Sequence, residues 1–501
     1  MKLQATSILC IGGLLLLGAD IDPTIESSAN KSRKARAAVT DPCSLATGWR
    51  IPQDVSEITD DLCARFAWDT FIAFNWPRRA DGFGGEPDKT ISICDTNGAP
   101  TVWSTLMTKE QAYLPEGEDP GTWENPTYPT PMYGDDPQNM LPLIGALAKA
   151  SVITNITGAF DQADSENPLI DQNGNYLVYQ IFLNQAEFSY ITQNKYYDKR
   201  YQLLAFEDGT SGFKGMPMKG YGDDNGTTYD LPDYAQQGVV ELKVAWKQLT
   251  QDEIDSGRFY TQEIYYVSNL TEADPACGPV TVGLVGMHVQ RLTTSMASTW
   301  FWATFEHIDN VETSVPGATP SFNPGPDSAY PPPYPDGYTC VDNAPQCPPL
   351  KVEDGTGHDV CEPFDANIVN VSSIPELAPS ALISSINAEY QDALPAPWKY
   401  YKLIGTVHPA DSDGPACIMP DPTNMVNTAY LTNTTMESYT QYMNVLNFTK
   451  CNGDTSKSIS CIDCHAAGLP WGAPTDGEGF PLITEDSPHG RKYQIFSFLL
   501  S

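Results

Sequence analysis

Val239-Val240-Glu241-Leu242-Lys243-Val244-Ala245-Trp246 changes the texture of this chain. Its residues alternate with a period of two and are rich in β-branched side chains, so the stretch reads as a strand. Residues 259–267, 280–292, 299–308 and 398–407 read likewise. These five strands follow one another mostly without helices between them, which favours an antiparallel sheet or sandwich over a doubly wound fold. The expected class is α+β, with a β-rich antiparallel body over residues 236–410 and helices at its periphery. Residues 315–362 interrupt that body with Pro331-Pro332-Pro333-Tyr334-Pro335 and three cysteines. A polyproline-like loop held by a disulfide explains this insertion better than peptide recognition does.

Residues 38–235 read as a mixed helical and loop region. Ile58, Leu62, Phe66 and Ala73 recur near helical spacing and Pro77 ends the run, so 57–76 is an expected helix. Residues 112–137 are rich in Pro, Gly, Glu and Tyr and read as an irregular surface excursion. Helices are expected over 138–151 and over 179–197, with Lys195 and Lys199 near the end of the latter. Residues 411–501 differ again: a helix is expected over 424–444, then a small-polar loop over 452–460, and an apolar tail closes the chain.

The first residues resemble a secretory signal, with Lys2 ahead of a short apolar run around Leu14-Leu15-Leu16-Leu17. Cleavage after Ala19 or after Ala35-Arg36-Ala37 would leave residues 1–37 as signal and leader, and an uncleaved anchor is the alternative. No later segment has membrane-spanning length, so an exported protein of the periplasm or exterior is expected, with no stable membrane span after signal removal. The net charge of −35 repels nucleic acid and anionic membrane surfaces and excludes nucleic-acid binding. Twelve cysteines in an exported chain imply disulfides. Local candidates are Cys43 with Cys63, two of Cys340, Cys347 and Cys361, and Cys417 with Cys451.

Cys461-Ile462-Asp463-Cys464-His465 carries the most specific chemistry. It matches the C-x-x-C-H signature of covalent c-type haem attachment. Two thiols add across the haem vinyl groups, the two intervening residues let both reach one porphyrin edge, and the adjacent imidazole supplies the proximal iron ligand. A zinc site wants a second Cys/His pair of suitable spacing, and none occurs. A redox dithiol should follow a strand and open a helix, whereas 452–460 is a polar loop. One covalent haem c is the expected cofactor, held by Cys461 and Cys464 with His465 as proximal ligand.

The sixth iron position is less determined. No methionine follows Met443, so a downstream thioether is not available. Met436 is the first upstream candidate, then Met443 or Met425, although a methionine at helical spacing equally suits a core. His307, His288, His408 and His489 are the alternative distal ligands. On a strand, His307 shares a face with Phe301 and Phe305, which also fits a hydrogen-bonded core histidine. An open sixth position is the third possibility. Asp171-Gln172-Asn173-Gly174-Asn175 and Asp223-Asp224-Asn225-Gly226 lack the full ligand series of calcium loops and read as turns. Motifs of serine hydrolases, nucleotide-binding loops and zinc proteases are absent from the sequence.

Phe66-Ala67-Trp68-Asp69-Thr70-Phe71-Ile72-Ala73-Phe74-Asn75-Trp76-Pro77, the stretch 300–310 and Thr435-Met436-Glu437-Ser438-Tyr439 resemble a group of large exported bacterial proteins described as c-type cytochrome family proteins. The resemblance implies covalent haem at Cys461 and Cys464 with iron on His465, and no substrate. The expected function is a mono-haem c-type cytochrome that transfers electrons to a redox partner protein. The alternative is a haem-dependent, peroxidase-like oxidoreductase or small-ligand binder with an open iron site. A haem-free secreted binding or structural protein is the third reading.

Overall fold

The computed structural model describes residues 41–127 except 83 and 96–98, 143–144, 171–202 except 174–176 and 199, 231–266, 277–312 except 294 and 296–299, 315, 320–322, 379–409, 425–426 and 433–436. Its central element is a strand of 15 residues, β8 (Cys277–Arg291). One edge of β8 pairs antiparallel with β6 (Val240–Gln248). The other edge is shared. From Gly286 to Arg291 it pairs with β9 (Phe301–His307), and from Cys277 to Gly283 with β7 (Thr261–Tyr266). β5 (Val178–Leu183) continues the sheet beyond β6, and β1 (Met107–Thr108) pairs with β5. On the far side β10 (Tyr401–Pro409) pairs with β9, and β11 (Met425–Val426) with β10. A short strand, β4 (Leu143–Ile144), runs parallel to β7. A separate hairpin joins β2 (Gly121–Thr122) to β3 (Asn125–Pro126).

The α+β class and the antiparallel body are as the alternation of 239–246 implies, in the form of one branched sheet among the described residues. The sheet crosses the boundary drawn near residue 235, because β5 pairs with β6 along six residue pairs.

Several elements differ from expectation, each for a local reason. The helix expected over 179–197 is two elements, β5 and then helix α3 (Gln185–Gln193). Asn184 divides them. Its side-chain oxygen accepts from the Glu187 and Val240 backbone N–H groups, both at 3.1 Å, and its amide donates to Gly238 O at 2.7 Å. One side chain thus caps the helix and ties its start to β6. Leu143–Ile144 is strand, where a helix over 138–151 was expected. Met425–Val426 is likewise strand and Asn433–Met436 a turn, inside the span 424–444 expected to be helical. In both cases pairing to a neighbouring strand overrides local pattern. The remainder of those spans lies outside the described residues.

The sheet's two faces are chemically unlike. Val240, Leu242, Val244 and Trp246 share one face with Val289 and Met287 of β8 and Phe301, Ala303 and Phe305 of β9. Helix α1 (Asp60–Phe74) covers this face. Its N-terminus is fixed by Thr59, whose hydroxyl accepts from Leu62 N, with Asp60 and Asp61 in the first turn favouring the helix dipole. Phe66 meets Phe301 edge-on at 5.0 Å, Trp68 meets Phe305 edge-on at 5.2 Å, and Phe71 stacks on Phe305 at 4.4 Å. Each such buried ring contributes about 1.5–3 kcal/mol from area alone.

Helix α5 (Ala381–Ala393), unexpected from the sequence, joins α1 on this side. Ile383, Ile386, Asn387 and Tyr390 form its buried stripe. Asn387 accepts from Trp68 Nε1 at 2.9 Å and Leu403 N at 3.0 Å, and donates to Leu403 O at 2.8 Å. This one amide joins α1, α5 and β10.

Cys43 pairs with Cys94, correcting the expected pairing with Cys63. Cys63 is a buried free thiol on α1, and burial pushes its pKa up to about 12. The other proposed disulfides lie outside the described residues. Cys43→Ala with Cys94→Ala should lower stability by about 2–4 kcal/mol, because the bridge closes a long loop. Cys63→Ala should leave the bridge intact. Urea unfolding together with thiol counting on the folded and unfolded protein checks both outcomes.

Candidate functional site

Cys461, Cys464 and His465 lie outside the described residues, as does His489, and nothing is described of the His408 side chain. Met436, His307 and His288 are described, and they occupy three distinct settings.

His307 closes the fork where β7 and β9 diverge along β8. The gap exposes backbone groups that no strand can pair, and side chains take them over. Asn310 donates to Val285 O at 2.8 Å, and the Tyr401 hydroxyl donates to Leu284 O at 3.0 Å while accepting from Tyr260 N at 3.1 Å. His307 Nδ1 accepts from the Asp309 backbone N–H at 3.2 Å, so Nε2 carries the proton and donates to Arg258 O at 3.1 Å. The ring stacks on Phe259 at 4.0 Å and meets Tyr401 edge-on at 5.2 Å. Arg258 forks onto both Asp309 oxygens at 2.7 Å. With both nitrogens engaged and the ring wholly buried, His307 serves as a structural residue here. Iron ligation would require one of these bonds to break.

Met436 ends the turn Asn433–Met436, and its backbone N–H donates to Asn433 O at 3.0 Å. This turn presses on the face of the sheet opposite α1. Asn433 donates to Thr304 Oγ1 and Phe305 O, both at 2.9 Å, and Thr434 N donates to Glu306 Oε1 at 2.6 Å. The Tyr179 hydroxyl donates to Thr435 O at 2.6 Å. Gly286 makes the approach possible, since a Cβ there would collide with Thr435 Oγ1. The Met436 side chain is fully buried. A thioether suits iron and a core equally, so its donor chemistry fits an axial role without establishing one.

The turn sits on a polar sheet face. In register across β6, β8 and β9 stand Glu241, Gln290 and Trp302, then Lys243, His288 and Thr304, then Ala245, Gly286 and Glu306. Lys243 and His288 are half-buried, and the Lys243 ammonium lies 5.5 Å over the Tyr179 ring. The remaining polar members are nearly inaccessible. At one end, α3 brings Glu187 to Glu241 and Tyr113. Burial first, and the nearby Glu241 carboxyl second, hold the Glu187 pKa well above its usual range.

The sequence singled out Met436 and His307 as candidate iron ligands but gave no sign of this face. Glu241 and Lys243 were visible as the polar half of an alternating strand. That alternation ordinarily marks a solvated face, and nothing in it signals that a later segment covers it. Asp171 Oδ1 accepts from Asn173 N at 2.8 Å, in line with the turn expected there.

No known family model matches this chain, nor does any curated protein or solved structure.

Burial lowers the His307 pKa from 6.5 to about 4, with the facing Asp309 opposing the shift. Between these values the unfolded chain binds more protons than the folded one, so stability falls as pH drops from 6.5 to 4. His307→Asn should flatten that slope and cost about 2–3 kcal/mol at neutral pH. Denaturant unfolding at pH 7 and pH 5 measures both effects.

Proposed function

We propose that this chain is an exported mono-haem c-type cytochrome that carries electrons to and from a redox partner protein in the periplasm or outside the cell. The observation that carries the reading is Cys461-Ile462-Asp463-Cys464-His465. Cys461 and Cys464 would hold the porphyrin through two thioether bonds, and the His465 imidazole would take the proximal iron position. Bound there, haem supplies a one-electron couple. The Cys43–Cys94 bridge supports an oxidising compartment. Among the described residues no helix is long and apolar enough to cross a membrane.

The second reading is a haem-dependent, peroxidase-like oxidoreductase or small-ligand binder with an open iron site. Two observations favour it over a simple carrier. His307 has both ring nitrogens hydrogen-bonded, and the turn Asn433–Met436 that precedes the C-x-x-C-H motif rests on a buried polar sheet face. If a sixth ligand is present, Met436 is the first candidate.

Expressed with bacterial haem-maturation machinery, the chain should carry one haem that survives denaturation and acid-acetone extraction. Cys461→Ala with Cys464→Ala should lose it. Mass spectrometry of the mature wild type without a haem adduct rejects the reading. With haem attached, a near-infrared sulfur-to-iron band abolished by Met436→Ala identifies the carrier form. A high-spin spectrum with ready carbon monoxide binding identifies the open site.

A further inference from the structure

Glu187 is the third residue of α3, a position from which a glutamate normally reaches back to the N-cap N–H. That donor is already taken, because Asn184 N bonds to Val240 O at 3.1 Å. The carboxyl is left in the interior with 0% exposure, and neither oxygen has a hydrogen-bond partner. Beside it are Glu241 of β6 and the phenol of Tyr113. Directly across from Glu241 on β8 stands Gln290, 4% exposed, whose amide nitrogen is also without a partner. The other charged or titratable groups on the flanking elements are Lys243, Lys247 and His288 on the same sheet face, Arg291 on the opposite face, and Lys109 and Glu110 on helix α2 (Lys109–Ala112).

Were both carboxyls ionised here, Glu187 would lack solvation and the two charges would repel one another. The arrangement has two ways out, a proton or a bound cation. A cation wants a shell of acceptors, whereas the unpartnered atom of Gln290, the residue in register with Glu241, is a donor. We propose that Glu187 and Glu241 hold one proton between them at neutral pH, forming a buried carboxyl–carboxylate dyad that seats α3 on the sheet and loosens it when alkali removes the proton. On removal the proton passes to solvent base and two negative charges remain, so the pair titrates as a unit. The folded state then binds more protons than the unfolded chain above the ordinary glutamate range, and stability falls as pH rises. This inference does not depend on haem.

The full chain, Glu187→Gln, Glu241→Gln and the double variant are compared by thermal unfolding from pH 5 to 9. Between pH 7 and 9 the wild type should lose at least about 4 °C more than Glu187→Gln, and the two substitutions should be non-additive. Parallel curves, or strict additivity, overturn the dyad. Sodium, potassium or calcium chloride raising the wild-type transition at pH 8, with Glu187→Gln unresponsive, overturns it in favour of a cation site. Should the variants fail to fold, infrared spectroscopy of the wild type decides: a buried protonated-carboxyl band at pH 7 is expected, and its absence overturns the proposal.

Discussion

The sheet depends on how β8 divides one edge between two partners. A 15-residue strand is long enough to serve β9 along one half and β7 along the other. Between them the ladder is interrupted, and unpaired buried peptide groups are too costly to leave. His307, Asn310 and Tyr401 take their place, with Arg258 and Asp309 bracing the corner. Extra residues on β8 opposite β6 and on β10 opposite β9 mark bulges near the same level, where the strands bend apart. A histidine that looks chemically available in sequence is thereby committed to closing the fork.

The two faces of the sheet then have opposite tasks. On the apolar face, aromatic rings of α1 interlock with Phe301 and Phe305, and Asn387 supplies the polar bonds that Trp68 and Leu403 require. Among the described strand residues, Arg291 is the one cation on that face. Its guanidinium lies 4.5 Å over Phe66 and donates to Thr70 Oγ1 at 2.8 Å and Pro52 O at 2.5 Å. These contacts offset a desolvation that lowers its pKa to about 9, so it stays charged at neutral pH.

On the polar face, Glu306 and Thr304 receive Asn433–Met436, and Gly286 clears the space for it. The turn fixes one point of the chain on the sheet, with Met436 lying 25 residues before Cys461, the start of the C-x-x-C-H motif. Burying Glu187 and Glu241 at the other end of this face works against stability unless their charge is reduced. A fold that retains such a pair accepts that destabilisation where an apolar pair would avoid it.

Sequence by itself determined the α+β class, the strands from 239 onward and the helix over α1, because their period and stop signals are local properties of the chain. It also displays the Cys461, Cys464 and His465 motif on which the haem proposal rests, since two thiols at that spacing with an adjacent imidazole are a local pattern. Tertiary structure decided the rest. Val178–Leu183 is a strand because β6 offers an edge to pair with, and Cys43 joins Cys94 because the fold brings those two Cα atoms to 5.4 Å. The roles of His307 and Glu187 depend on neighbours 49 and 54 residues away, Arg258 and Glu241. Burial and hydrogen-bond occupancy are properties of those neighbours, so no local pattern carries them.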